Sequence, residues 1–207
     1  MQTLSFWSLV MDGGYIMIPL AVLLLVVIYV FTERALVIAR ATKEDNTFMN
    51  RIRDYVHEGD LDSARNLCKK TQTPYARLIE KGLSRIGRNM NDVLVAIENT
   101  GNIEVASLGK GLPWLSTTAA GAPMLGFLGT VIGMIDAFFS LANAGTAANI
   151  TVLSSGIYQA LVTTVAGLVV GIIALFAYNY LVARINRVMN SLEAKTMEFM
   201  DLLNEPA

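Results

Sequence analysis

Five polar side chains stand inside stretches that are otherwise apolar enough for a bilayer: Thr130 and Asp136 in one stretch, Gln159, Thr163 and Thr164 in another. A hydroxyl or amide in hydrocarbon has to find a partner in protein or water, because leaving it unpaired is costly. Groups of this kind therefore face protein or a pathway. Thr130 lies thirteen residues before Asn143, and Thr164 fourteen after Ile150. At ~1.5 Å per helical residue, both sit roughly 20 Å from the turn joining the two stretches. Two readings fit that shared depth. The hydroxyls form a polar ring when the subunit repeats about an axis, or each bonds the carbonyl one turn back in its own helix. Gln159 and Thr163, four residues apart, share a second line expected to border the pathway with Thr130 and Thr164, with Gln159 near the midplane and obliged to hydrogen-bond. Asp136 is the only acidic residue between Gly111 and Ala183. It sits about 10 Å from the turn, where a carboxylate costs less than the ~3 kcal/mol of a helix centre, and it reads as an outer-mouth residue. No Asp, Glu or His stands at the midplane. If protons cross here, a partner brings the group that holds them.

The elements that position these residues are two helices with a seam of small side chains. Gly126, Gly129 and Gly133 recur along the first; Gly156, Ala160 and Thr164, then Gly167 and Gly171, recur along the second. In lipid, burial gives no drive to association, so close backbone approach and interhelical hydrogen bonds hold helices together. A helix that only has to cross a membrane needs no such seam. The pair is expected to pack tightly inside an oligomer.

Composition places these helices in a membrane protein. The 207 residues are 54% hydrophobic and 16% charged, with a mean hydropathy of +0.49, too apolar for an ordinary soluble domain. All sixteen basic residues fall in two blocks, thirteen from Arg34 to Lys110 and three from Arg184 to Lys195. The positive-inside rule puts both blocks in the cytoplasm. The expected fold is an all-α integral membrane protein with three transmembrane helices, N-out and C-in, whose long helices extend into a helical cytoplasmic domain. Its parts are a short outer interfacial helix (1–12), transmembrane helix 1 (13–33), the cytoplasmic domain (34–112), transmembrane helix 2 (113–142), an outer turn (143–150), transmembrane helix 3 (151–183) and a C-terminal cytoplasmic helix (184–207).

Between Thr42 and Lys110 the periodicity is that of amphipathic helices. Phe48, Ile52, Tyr55 and Val56 form one stripe; Leu61, Ala64, Leu67 and Cys68 a second after Gly59-Asp60. Thr73 caps a third carrying Tyr75, Leu78, Ile79 and Ile86, and a fourth begins near Asn91-Asp92. The rhythm of Gly101-Asn-Ile-Glu104 lets this fourth helix run on through Gly109 and Gly111 into the second span, with Pro113 as a kink. Along the tail, Ile185, Val188, Met189, Leu192, Phe199 and Leu203 can pack on the cytoplasmic block. His57 has no partner spaced for metal coordination, and lone Cys68 reads as a small buried apolar residue. No nucleophile–base pair or metal-ligand cluster points to an enzyme, and the expected surroundings are lipid and protein, not nucleic acid.

Several motifs together resemble the ExbB/TolQ/MotA proton-channel family, with its ExbB branch nearest. They are Gly14-Tyr-Ile-Met-Ile-Pro19, Gly109-Lys-Gly-Leu-Pro113, Pro123-Met-Leu-Gly-Phe-Leu-Gly-Thr-Val-Ile-Gly-Met134 and Gly156-Ile-Tyr-Gln-Ala-Leu-Val-Thr-Thr-Val-Ala-Gly-Leu168. The resemblance implies a multi-pass subunit of a motor in the inner membrane of a Gram-negative bacterium. Five copies would form a pore around the single helices of an ExbD-like partner, whose aspartate takes up and releases protons. A TonB-like or TolA-like protein would carry the resulting work to the outer membrane, with protons as coupling ion and no cofactor. Thr130 and Thr164 match the family's pore threonines. Where members often read Gly-Ile-Ala-Glu-Ala-Leu, this chain has Gln159, which hydrogen-bonds but cannot titrate and is expected to be structural. TolQ-type service to the envelope is the near alternative, and a non-conducting oligomeric scaffold the distant one. A solute transporter fits poorly without inverted repeats or a broken-helix site.

Overall fold

The computed structural model describes residues 13–42, 47–143 and 150–204. Among them the chain forms seven helices and no strand: α1 (Met17–Ala41), α2 (Phe48–His57), α3 (Leu61–Thr71), α4 (Pro74–Leu83), α5 (Met90–Leu108), α6 (Leu112–Asn143) and α7 (Ile150–Asn204). The short outer helix expected at 1–12 and the turn residues 144–149 lie outside the described residues. Helices α1, α6 and α7 are each long and apolar enough to cross a membrane. The chain divides into two compact units, residues 1–32 with 111–180 and residues 33–110 with 181–207.

In the first unit, the glycines explain how α6 and α7 pack. A methyl group at Gly126 would lie 2.9 Å from the Thr163 carbonyl oxygen and 3.1 Å from the Gly167 Cα. One at Gly133 would meet Ala160 at 3.0 Å, one at Gly156 would meet Ala137 at 2.6 Å, and one at Gly171 would meet the Pro123 ring at 2.6 Å. These pairings descend one helix as they climb the other, so α6 and α7 run antiparallel with their small residues interleaved. Pro123 lacks the N–H that would bond the Ala119 carbonyl, and both lie against Gly171, where only glycine leaves space. Helix α1 closes the unit. Leu20, Ala122 and Val170 form a buried cluster flanked by Ile16, Met17, Leu23, Leu24, Leu125 and Ala166, which joins all three helices. Away from it the helices present bare apolar faces, including Phe127, Ile135 and Phe139 on α6 and Leu161, Val165 and Phe176 on α7. Such faces suit lipid or a neighbouring subunit.

The second unit is built like a soluble helical domain. Ile52, Ala64, Cys68, Ile79, Leu83 and Ile97 are almost completely buried, and each falls on or beside a stripe that the sequence announces. Asp60 and Thr73 cap α3 and α4 by accepting from the backbone N–H groups of Ser63 (3.0 Å) and Ala76 (3.3 Å). Asn89 caps α5 through the Asn91 N–H, and that helix begins at Met90, one residue ahead of Asn91. The last part of α7 supplies Leu181, Ile185, Val188, Leu192, Phe199 and Leu202 to the core; Leu202 takes the inward position expected of Leu203. Gly82 makes room for Phe199, whose ring a Cβ there would meet at 2.6 Å. Arg77 donates two hydrogen bonds to Glu104, at 2.6 and 2.5 Å, tying α4 to α5.

Two local expectations are corrected. Helix α5 does not run on into α6: it stops at Leu108, the chain turns through Gly109-Lys110-Gly111, and Gly111 adopts φ +87°, a left-handed conformation that glycine alone takes without penalty. Pro113 is therefore the second residue of a new helix, where no carbonyl bond is lost, and no kink is needed there. Ile86 falls beyond the end of α4, in the turn that follows Leu83.

Candidate functional site

The hydroxyl protons of Thr130, Thr163 and Thr164 are committed to backbone carbonyls in two different ways. Thr130 donates to the Phe127 carbonyl at 2.6 Å and Thr163 to the Ala160 carbonyl at 2.7 Å, each within its own helix. Thr164 instead reaches across to α6 and donates to the Gly126 carbonyl at 3.0 Å. Gly126 allows that bond, because its missing side chain brings the two backbones together. A threonine hydroxyl that donates its proton still presents lone pairs. Thr130 and Thr164 thus offer acceptor oxygens, and Thr130 is only half-buried in the single subunit.

Asp136, Gln159 and Thr163 converge on one cleft of about 360 Å³. Its walls are Gly129, Ile132, Gly133, Asp136, Ala137 and Ser140 from α6, Gly156, Gln159 and Thr163 from α7, and residues 13–16 ahead of α1. Thr163 is 3% exposed, and its hydroxyl occupies the place that a side chain at Gly129 would take. The Gln159 amide lies over Gly14, where a Cβ would collide with Nε2, and Gly14 itself is left-handed at φ +66°. Thr130 and Thr164 do not line this cleft. Each is the chain neighbour of a residue that does, Gly129 and Thr163 respectively. The remaining seam positions, Gly126, Ala160, Gly167 and Gly171, serve the α6–α7 contact.

Sequence reasoning missed two contributors. Ser140 follows Asp136 by one helical turn, so its place on the same face was readable from spacing. Gly14 carried no such signal, since nothing in a sequence links residue 14 to residue 159. In the second unit Cys68 is 1% exposed, and burial first, then the charge of Glu80, pushes its thiol up to about 12. A thiol so rarely ionised is no nucleophile at neutral pH.

A model of the MotA/TolQ/ExbB proton channel family matches residues 70–194. The chain belongs to that family. Among similar proteins, a putative biopolymer transport protein ExbB homolog of Methanothermobacter thermautotrophicus is 36% identical over 135 residues, 65% of this chain and 47% of the relative. A putative biopolymer transport protein ExbB-like 1 of Synechocystis is 30% identical over 192 residues, covering 91% of this chain and 72% of the relative. The Tol-Pal system protein TolQ of Haemophilus influenzae is 28% identical over 189 residues, 86% and 82% of the two chains. The chain thus spans about half the length of the first of these and most of the other two. As a MotA/TolQ/ExbB family member it is an all-α membrane protein, with three helices able to span among the described residues. The matched stretch takes in α6, the membrane part of α7 and both of their cleft walls, whereas Gly13 to Ile16 lie outside it.

Proposed function

We propose that the protein is the channel subunit of an ExbB-type motor, embedded N-out and C-in in the inner membrane of a Gram-negative cell, with the second unit in the cytoplasm. Five copies surround the single helices of an ExbD-like partner whose aspartate carries the proton. A TonB-like protein takes up the resulting movement and energises transport across the outer membrane. Protons are the coupling ion, and neither a cofactor nor enzymatic chemistry is involved. Membership of the family supports this reading. The observation that carries it is a mismatch: acceptor hydroxyls at Thr130 and Thr164 lie next to seam residues, yet Asp136 is the only Asp, Glu or His from 111 to 183.

In this mechanism Thr130 and Thr164 meet the partner's carboxyl group. Their lone pairs accept from the protonated acid or from water, while their own protons stay on Phe127 and Gly126. A threonine committed in this way orients a proton without trapping it. Gln159 and Thr163 lie off that line, with Gln159 holding the segment ahead of α1. The likeness to TolQ over most of both chains favours a second reading, in which a TolA-like protein replaces the TonB-like one and the work maintains the envelope.

Proton uptake by inverted vesicles containing the subunit and its single-span partner tests the proposal. Thr130→Ala and Thr164→Ala are expected to lower uptake more than tenfold, about the 1.4 kcal/mol equivalent of one decade, while Thr164→Ser retains most of it. Unchanged uptake in both alanine variants would remove the threonines from the pathway. Complementation separates the two services: rescue of energised solute uptake marks the ExbB type, and rescue of detergent resistance marks the TolQ type.

A further inference from the structure

The cleft between α6, α7 and the segment ahead of α1 is more than a packing defect. Its volume of about 360 Å³ equals that of roughly a dozen waters in the liquid. Five side chains with polar groups line it: Tyr15, Asp136, Ser140, Gln159 and Thr163. Five of its wall positions are glycines, at 13, 14, 129, 133 and 156, so backbone dipoles lie close to the space.

Charge singles this cleft out. Residues 1–32 and 111–180, which make up the first unit, contain no Lys, Arg or His. The Asp136 carboxylate therefore has no basic side chain of its own unit as counter-charge. An ionisable group within a spanning segment is expensive and tends to mark an ion path, and a cleft of one sign with low-dielectric walls concentrates ions of the opposite sign. Asp136, Ser140 and Gln159 are exposed along the cleft, so the counter-charge can be drawn from solution.

We propose that this cleft is a cation-collecting antechamber inside each subunit, filled with water and holding a monovalent cation, hydronium or sodium, as the counter-ion of Asp136. Ser140 and the Gln159 carbonyl oxygen add neutral oxygen ligands. At its inner end the cleft reaches Gly129 and Thr163, each one residue from the threonine proposed to meet the partner's aspartate. The antechamber thus supplies that level from the outer side. The inference rests on the proposed channel function for the cation's destination, but the site itself does not depend on it.

The test reads local electrostatics, independently of transport. In the full complex in intact cells, with Cys68→Ala as background, Gln159→Cys and Ser140→Cys are labelled with a cationic and an anionic methanethiosulfonate reagent. The expected result is labelling from the outer side at both positions, with the cationic reagent at least about tenfold faster than the anionic one. That preference should collapse when Asp136→Asn is added. Slower cationic labelling in sodium chloride than in choline chloride assigns the occupant as sodium; equal rates assign it to hydronium and water. No labelling at Ser140→Cys, or a charge preference that survives Asp136→Asn, overturns the proposal. Unchanged proton uptake in unlabelled Thr130→Ala and Thr164→Ala, which would fail the channel reading, leaves this outcome untouched, so failure of the antechamber and failure of the channel reading remain separable.

Discussion

At Gly167 the helix pair has no room for a single methyl group. A Cβ there would come within 2.6 Å of the Ala122 carbonyl oxygen and 2.8 Å of the Gly126 Cα, both backbone atoms that cannot swing aside. Gly167→Ala is expected to destabilise the detergent-solubilised protein by about 1–3 kcal/mol, the usual cost of overpacking. Gly121 faces open space, and Gly121→Ala should be neutral or gain up to about 1 kcal/mol from helix propensity. Thermal melts of the two variants in one detergent check this; equal melting temperatures would mean that the seam is looser than its geometry. The same scale decides how Thr164 is read. An interhelical hydrogen bond in a membrane averages only about 0.6 kcal/mol, so losing the Thr164–Gly126 bond alone cannot account for a tenfold drop in transport. The seam glycines were legible because spacing alone carries them. The split between Thr130, bonded to its own helix, and Thr164, bonded across to α6, was not, because it depends on which face of each helix meets the other.

At the scale of elements, the amphipathic stripes of α2 to α5 and the cap at Thr73 could be read from residue types, since each rests on contacts within a few residues. The break between α5 and α6 could not be placed. Gly109 and Gly111 permit either continuation or a left-handed turn, and only the surrounding fold selects φ +87° at Gly111. The cleft is harder still, for it joins residue 14 to residues near 136 and 159. Cys68 offers a reporter for this level. With its thiol pushed up to about 12 and almost fully buried, it should resist maleimide at pH 8 until the second unit opens. Thr73→Ala removes the α4 cap, worth about 1 kcal/mol, and should speed labelling roughly fivefold if α4 opens with that unit. Fast labelling of the unaltered protein would contradict the burial of Cys68.

At the scale of the whole molecule, two units share one chain because α1 and α7 each carry a membrane-competent segment and then a segment of a soluble-type core. The sequence marks that change of solvent by confining every basic residue to 34–110 and 184–195. What no single chain can display is an assembly. On the proposed function, the apolar faces left open on α6 and α7 meet lipid and neighbouring copies, and an acid supplied by a partner completes the path. The most direct test is native mass spectrometry of the complex purified from membranes after co-expression with a small single-span protein bearing one intramembrane aspartate. A particle of five copies of this chain retaining one or two of the partner is the predicted result. A homo-oligomer that never retains the partner would leave the threonines with no proton carrier to meet, and would contradict the motor in favour of a scaffold.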